Sequence, residues 1–337
     1  MAILINPYRF AAAAAGLHWQ ELGRTTLSGT SDTIDVTSLT AKPYMMVLGH
    51  TLNSGSTNIF SRNNGDSGSN YAENGSINGG TNYTQTSQAQ LDLSGGGESK
   101  PMFVVQNIMN ISDQEKLIIN HTNNCATGAA NAPNRIELAG KWANTSSSIS
   151  SISFNNTSSG SYDTGSEVVV LGYDPADTEG GSVWEELADV DWTSGATLDS
   201  GTFTAKKYLY FEIYFDQASG SNDPWLQFNS DTGSNYAWRM STNSATDVTY
   251  GSQSYGVNIT GITVPRLYSG YIINKSDKEK LCILHSVRTA AGGAGTAPDR
   301  EEAVFKWANT SAQITQIEIN AQTGNLSTGN IKVWGFD

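Results

Sequence analysis

Two short segments of this chain carry oxygen ligands at fixed spacing. They are Asp66-x-Gly68-x-Asn70-Tyr71 and Asp231-x-Gly233-x-Asn235-Tyr236. Carboxylate and amide oxygens are hard donors that suit Ca²⁺, so Asp66, Asn70, Asp231 and Asn235 are the candidate metal ligands. The full calcium loop, with its run of Asx residues and a distal Glu, is absent. A tight turn in which Asp and Asn bond their own backbone is therefore the favoured reading, and no metal or other cofactor is expected.

Aromatic side chains are the next candidates, because a flat ring can stack on a sugar. Tyr208, Tyr210, Trp225, Tyr236 and Trp238 crowd one stretch of the chain. Such a patch would serve as a ligand platform or a subunit contact; the bland alternative is a core built from larger residues. Lys141-Trp142-Ala143-Asn144-Thr145-Ser146 and Lys306-Trp307-Ala308-Asn309-Thr310-Ser311 each carry a Trp that is expected to anchor a core edge. Arg135 and Arg300 precede those tryptophans by the same spacing and read as structural cations. Ser112-Asp113-Gln114-Glu115-Lys116 and Ser276-Asp277-Lys278-Glu279-Lys280 read as solvated turns rather than acid/base pairs. Of the histidines, only His121 and His285 occupy matching places. The chain has no His-x-x-x-His, Gly-x-Ser-x-Gly, Walker or dinucleotide motif. With no nucleophile–base pair to argue from, the chain is not expected to be an enzyme.

The recurrence of these motifs is itself the main organisational fact. Trp142 maps to Trp307 and Asp66 to Asp231 at one offset, 165, and Trp19-Gln20-Glu21-Leu22 returns as Trp184-Glu185-Glu186-Leu187. This period is domain-sized, far beyond the roughly 20–50 residues of a solenoid repeat. The 337 residues therefore divide into an arm (1–17), one unit (18–174), a Pro/Gly-bearing linker (175–183) and a second unit (184–337). The opening residues resemble a signal peptide, but they lack a basic start and are interrupted by Asn6, Pro7 and Arg9; the arm is expected to be retained. A net charge of −13 argues against nucleic acid and anionic membranes as partners. No apolar run is long enough for a spanning helix, so membrane insertion is not expected. Cys125 and Cys282 are not equivalent and read as buried free thiols rather than a disulfide framework.

The elements that must position these residues are strands. Period-two alternation predicts strands at 208–215, 225–228, 236–240, 267–273, 280–285, 303–307, 314–319 and 331–334, and in the first unit at 44–48, 102–108, 116–120, 135–142 and 167–171. No convincing helix is read; at most Leu187-Ala188-Asp189-Val190 could make a single turn. About seven or eight short strands per unit, separated by Gly/Asn/Ser/Asp turns, make an all-β protein of two tandem homologous antiparallel β-sandwich domains, jelly-roll-like in topology. An immunoglobulin-like topology ranks second, since no Cys…Trp…Cys pattern is present.

Certain of these segments resemble β-sandwich repeats of tailed-bacteriophage virion proteins. The carriers are Phe228-Asn229-Ser230-Asp231-Thr232-Gly233-Ser234-Asn235-Tyr236, the late strand with Ile314, Ile317 and Ile319, and the closing strands Gly165–Tyr173 and Gly329–Phe336. The opening Ile5-Asn6-Pro7-Tyr8-Arg9-Phe10 is similar to N-terminal segments of phage tail-fibre and other virion-surface proteins. The resemblance implies a structural virion component, a tail fibre or appendage or a capsid decoration protein, assembled in the bacterial cytoplasm. It implies that the arm docks on other virion proteins through Leu4, Tyr8, Arg9 and Phe10, that the chain forms a homo-oligomer (a trimer, by analogy with fibres), and that the outer domain contacts a host surface glycan. The competing expectations are a carbohydrate-binding lectin-like module using the Trp225/Tyr236/Trp238 platform, and a double jelly-roll capsid subunit.

Overall fold

The computed structural model describes residues 18–97, 99–177, 181–216, 224–258, 265–289 and 293–337. The proposed docking arm, with Leu4, Tyr8, Arg9 and Phe10, lies outside them. Among the described residues there is no helix; the chain is an all-β sandwich protein.

Each half of the chain forms its own large antiparallel sheet. In the first, the order is Gln20–Thr26, Glu167–Tyr173, Tyr44–Thr51, Met102–Met109, Lys116–Asn124, Asn134–Trp142, Tyr71–Ile77, Tyr83–Gln88. In the second, the corresponding order is Glu185–Trp192, Gly329–Phe336, Tyr208–Phe215, Arg266–Ile273, Lys280–Arg288, Asp299–Trp307, Tyr236–Thr242, Val248–Gln253. A smaller sheet covers one face of each: four strands including Thr33–Val36, Ile152–Asn155 and Phe60–Asn63 in the first half, and three, Thr197–Asp199, Ile317–Asn320 and Trp225–Phe228, in the second. The strands divide eight against three or four, not evenly. The one segment that could have made a helical turn, Leu187–Val190, is part of the edge strand Glu185–Trp192, which pairs with the last strand through a bulge between Glu186 and Ala188. Four residues carry no helical signal strong enough to outweigh a ladder of backbone hydrogen bonds.

Alternation decides what each strand buries. In Tyr44–Thr51, Met45 and Val47 point into the first sandwich with Ile152 and Phe154. Met46 and Leu48 point the other way, into a separate cluster shared with the second half. Sizes are traded between the copies. A Cβ on Gly49 would lie 2.4 Å from the Phe154 ring. The corresponding positions in the second copy are Ile213 and Ile319, both buried in its core.

The two repeated motifs form a single device. The Trp142 indole N–H donates to Asp66 Oδ2 at 2.7 Å, and Trp307 donates to Asp231 Oδ2 at 2.6 Å. Each Asp also accepts from the Gly68 or Gly233 N–H and from the Asn70 or Asn235 amide. Burial alone would raise these carboxyl pKa values, but the indole, amide and backbone donors outweigh it and lower them. The carboxylates are committed to closing a turn over a buried Trp. Lys116 and Lys280 complete the arrangement. Each ammonium is buried beside the Trp ring of its own copy and donates to backbone carbonyls, among them Asn144 O and Asn309 O at 2.9 Å.

Candidate functional site at the seam between the two sandwiches

The large sheets of the two halves pack against each other through their outward faces. Met46, Leu48, Phe103, Val105, Val169 and Leu171 from the first meet Tyr208, Ile273, Leu281, Ile283, Val304 and Phe336 from the second. Polar anchors frame this layer. Asn123 donates across it to the carbonyls of Cys282 (2.9 Å) and Phe305 (3.0 Å). The fully buried Lys306 reaches Ala126 O and Glu279. Glu167 accepts from Tyr208 Oη at 2.7 Å and pairs with Lys207 at 3.2 Å. Burial alone would raise the Glu167 pKa; hydrogen bonds from Thr26 and Tyr208 and the charges of Lys207 and Arg24 outweigh it and hold it below the ordinary value.

Equivalent residues are used unequally in this contact. Tyr208, Leu281 and Ile283 are buried in the seam, whereas their counterparts Tyr44, Leu117 and Ile119 are 44, 52 and 56% exposed. Those three lie beside Trp19 and Tyr173 around an apolar shelf of about 610 Å³. Trp19 lies tilted against Tyr173 (centroids 5.9 Å apart) and Tyr173 against Tyr44 (6.1 Å). Isolated exposed apolar residues need no explanation; a contiguous group of them marks a contact surface.

A polar cleft of about 760 Å³ opens along the same seam. His121 and Glu137 sit opposite each other on adjacent strands of the first sheet, and His285 and Glu302 hold the matching pair of places in the second. The two imidazoles meet with centroids 4.4 Å apart. Burial, reinforced by His285 and Arg135, lowers the His121 pKa to about 3; burial also lowers that of His285. Arg135 pairs with Glu137, with Asp247 at 2.8 Å and with Glu302 at 3.0 Å, while Arg300 holds Glu302 at 3.0 Å. Burial first, and then the charge of Glu137, raises the Glu302 pKa.

The sequence-derived aromatic platform does not form. Tyr208, Tyr236 and Trp238 are buried, Tyr208 in the seam and the other two in the second core. Strand alternation turns Tyr236, Trp238 and Met240 inward together, and the smaller sheet covers them. Trp225, on a different sheet, stacks on Tyr255. Tyr210 belongs to another aromatic group, with Tyr271 and Trp334. Asp66, Asn70, Asp231 and Asn235 are paired within their own turns, as described. Arg135 is the structural cation expected, although two of its carboxylate partners, Asp247 and Glu302, come from the other sandwich. Sequence reasoning passed over Glu137, Glu302, Leu117 and Ile119. The available signal was the pairing of His121 with His285 and of Arg135 with Arg300, extended two residues onward to the next shared carboxylate.

No family model matches the chain, and no curated protein matches it. Among solved structures, domains LG4-5 of the mouse laminin alpha1 chain align over 94% of this chain and 89% of their own, at 8% identity and a TM-score of 0.20. Ail, the attachment invasion locus protein of Yersinia pestis, aligns over 80% and 98%, at 4% identity and a TM-score of 0.14. Neisserial surface protein A aligns over 83% and 99%, at 8% identity and a TM-score of 0.12. Likenesses this weak carry no argument about function.

Proposed function

We propose that this chain is a non-catalytic structural component of an assembled particle, and that it docks on a neighbouring protein through the apolar shelf of its first sandwich. One observation carries this reading. The surface formed by Tyr44, Leu117 and Ile119 is the homologue of the surface by which Tyr208, Leu281 and Ile283 bind another sheet within this molecule. A face whose duplicate already works as a sheet-docking surface is suited to a second such contact. The resemblance of the closing strands to phage virion repeats is what supports taking the particle to be a tailed-bacteriophage virion, with the shelf facing another virion protein. The lectin alternative loses the exposed Tyr236/Trp238 stack on which it was based.

The test is assembly. Ile119→Asp and Leu117→Asp should leave the purified chain folded and lower its incorporation into particles at least tenfold; an equal loss should follow in binding to isolated virion proteins. Undiminished incorporation of both folded variants would overturn the proposal.

A further inference from the structure

The histidine cluster in the polar cleft has no part in shelf docking. His121 and Glu137 come from neighbouring strands of the first sheet, and His285 from the facing sheet. One ligand atom from each lies within 4.8 Å of the other two. The rings touch at 55° between planes. Both imidazoles are half-buried beside the cleft and in contact with each other. Two imidazoles and one carboxylate are the donor set of a three-ligand site for a borderline divalent ion, with a further position left for water or a ligand group.

We propose that His121, Glu137 and His285 bind one divalent transition-metal ion of the zinc class and that this ion clips the two sandwiches together. Two ligands belong to one sandwich and one to the other, so the site exists only when the seam is closed. Binding to that state alone stabilises it by mass action. Arg135, Arg239 and Arg300 stand against Glu137, Asp247 and Glu302 around the cluster, a neutral set before any ion is added. Glu137 is already engaged by Arg135 and by the Glu302 carboxyl, so an ion would share its oxygens with these partners. The cleft beside the cluster is lined by Ser76, Ser241 and Ser244 among others.

Equilibrium dialysis of the full chain against Zn²⁺, after chelator treatment, should find one ion per chain. Co²⁺ in its place should give the visible d–d bands of a low-coordinate site. His121→Gln and His285→Gln should each weaken binding by more than the roughly 10–100-fold typical of losing an outer-shell partner. His18→Gln should change nothing. Zinc should raise the Tm of the parent chain and not of the two cluster variants. If either glutamine variant fails to fold without metal, Glu137→Gln replaces it in the same measurements. The proposal is overturned if no ion binds, or if binding survives substitution of both histidines. Particle incorporation of Ile119→Asp is read separately, so failure of either proposal leaves the other standing.

Discussion

The two sandwiches are copies of one unit, yet position 119 of the first faces water while its counterpart, Ile283, is sealed between sheets. A two-fold contact would bury both, since each subunit would present the same patch. The seam instead joins different parts of the two faces, and so leaves one apolar surface unmatched. A second contrast lies inside the copies. Where the second has Trp238 in its core, the first has Glu73, equally buried, with Oε1 unpaired. Burial, and after it the charge of Asp92, raises the Glu73 pKa to about 7 despite a hydrogen bond from the Asp92 N–H. Trp238 also buries an unpaired atom, its indole Nε1, so the two copies fill this shared position with side chains of different chemistry and each leaves a polar atom unmatched.

The largest effect should separate the two faces. Ile283→Asp places a charge in the seam and should destabilise the chain by more than about 4 kcal/mol, whereas Ile119→Asp should stay within about 0.5 kcal/mol. Urea unfolding of both variants checks this, and similar losses would refute the asymmetry. Next come the features the copies share. Asp66→Ala and Asp231→Ala each strip a buried indole and a turn of their acceptor, and each should cost roughly 2–3 kcal/mol; a large difference between them would mean that the frame is not equally important in both units.

Glu73 gives a smaller effect with a definite pH sign. Its folded pKa lies above the ordinary 4.5, so its contribution is fully present below that pH and is lost as pH rises through about 7. Glu73→Gln should therefore match the parent near pH 4 and exceed it at pH 8, by on the order of 2 kcal/mol. Thermal melts at the two pH values decide it. Glu167 has the opposite sign. Its lowered pKa means that its contribution is present above about 4.5 and lost as pH falls through the folded value. Glu167→Gln should flatten the acid side of the stability curve, read from melts between neutral and acid pH.

Much of the frame was legible in the residues. The strands 208–215 and 225–228 were bounded correctly because alternating or aromatic runs end at clear turn residues. The edge strand Glu185–Trp192 was missed because its polar, half-exposed pattern lacks a buried face to set a period. The Asp and Trp motifs were read as scaffold, but nothing local said that they bond to each other across 76 residues of chain. The aromatic stretch 236–238 stayed open between a binding patch and a core, since composition cannot say which side of a sheet is covered; burial decides for the core.

From the sequence alone came the duplication, the all-β class, the turn chemistry of Asp66 and Asp231, and the unpaired cysteines. These follow from local pattern: period two, Gly and Asn at turns, and self-similarity at one offset. Only the tertiary structure decided which face of each large sheet is buried, and therefore that Leu117 and Ile119 are exposed, that Tyr236 and Trp238 are core, and that His121 meets His285 with Glu137 beside them. The reason is geometric. Each large sheet has two faces, and alternation says which residues share a face. What covers that face depends on how two whole sandwiches pack, and that packing rests on many weak contacts far apart in the chain.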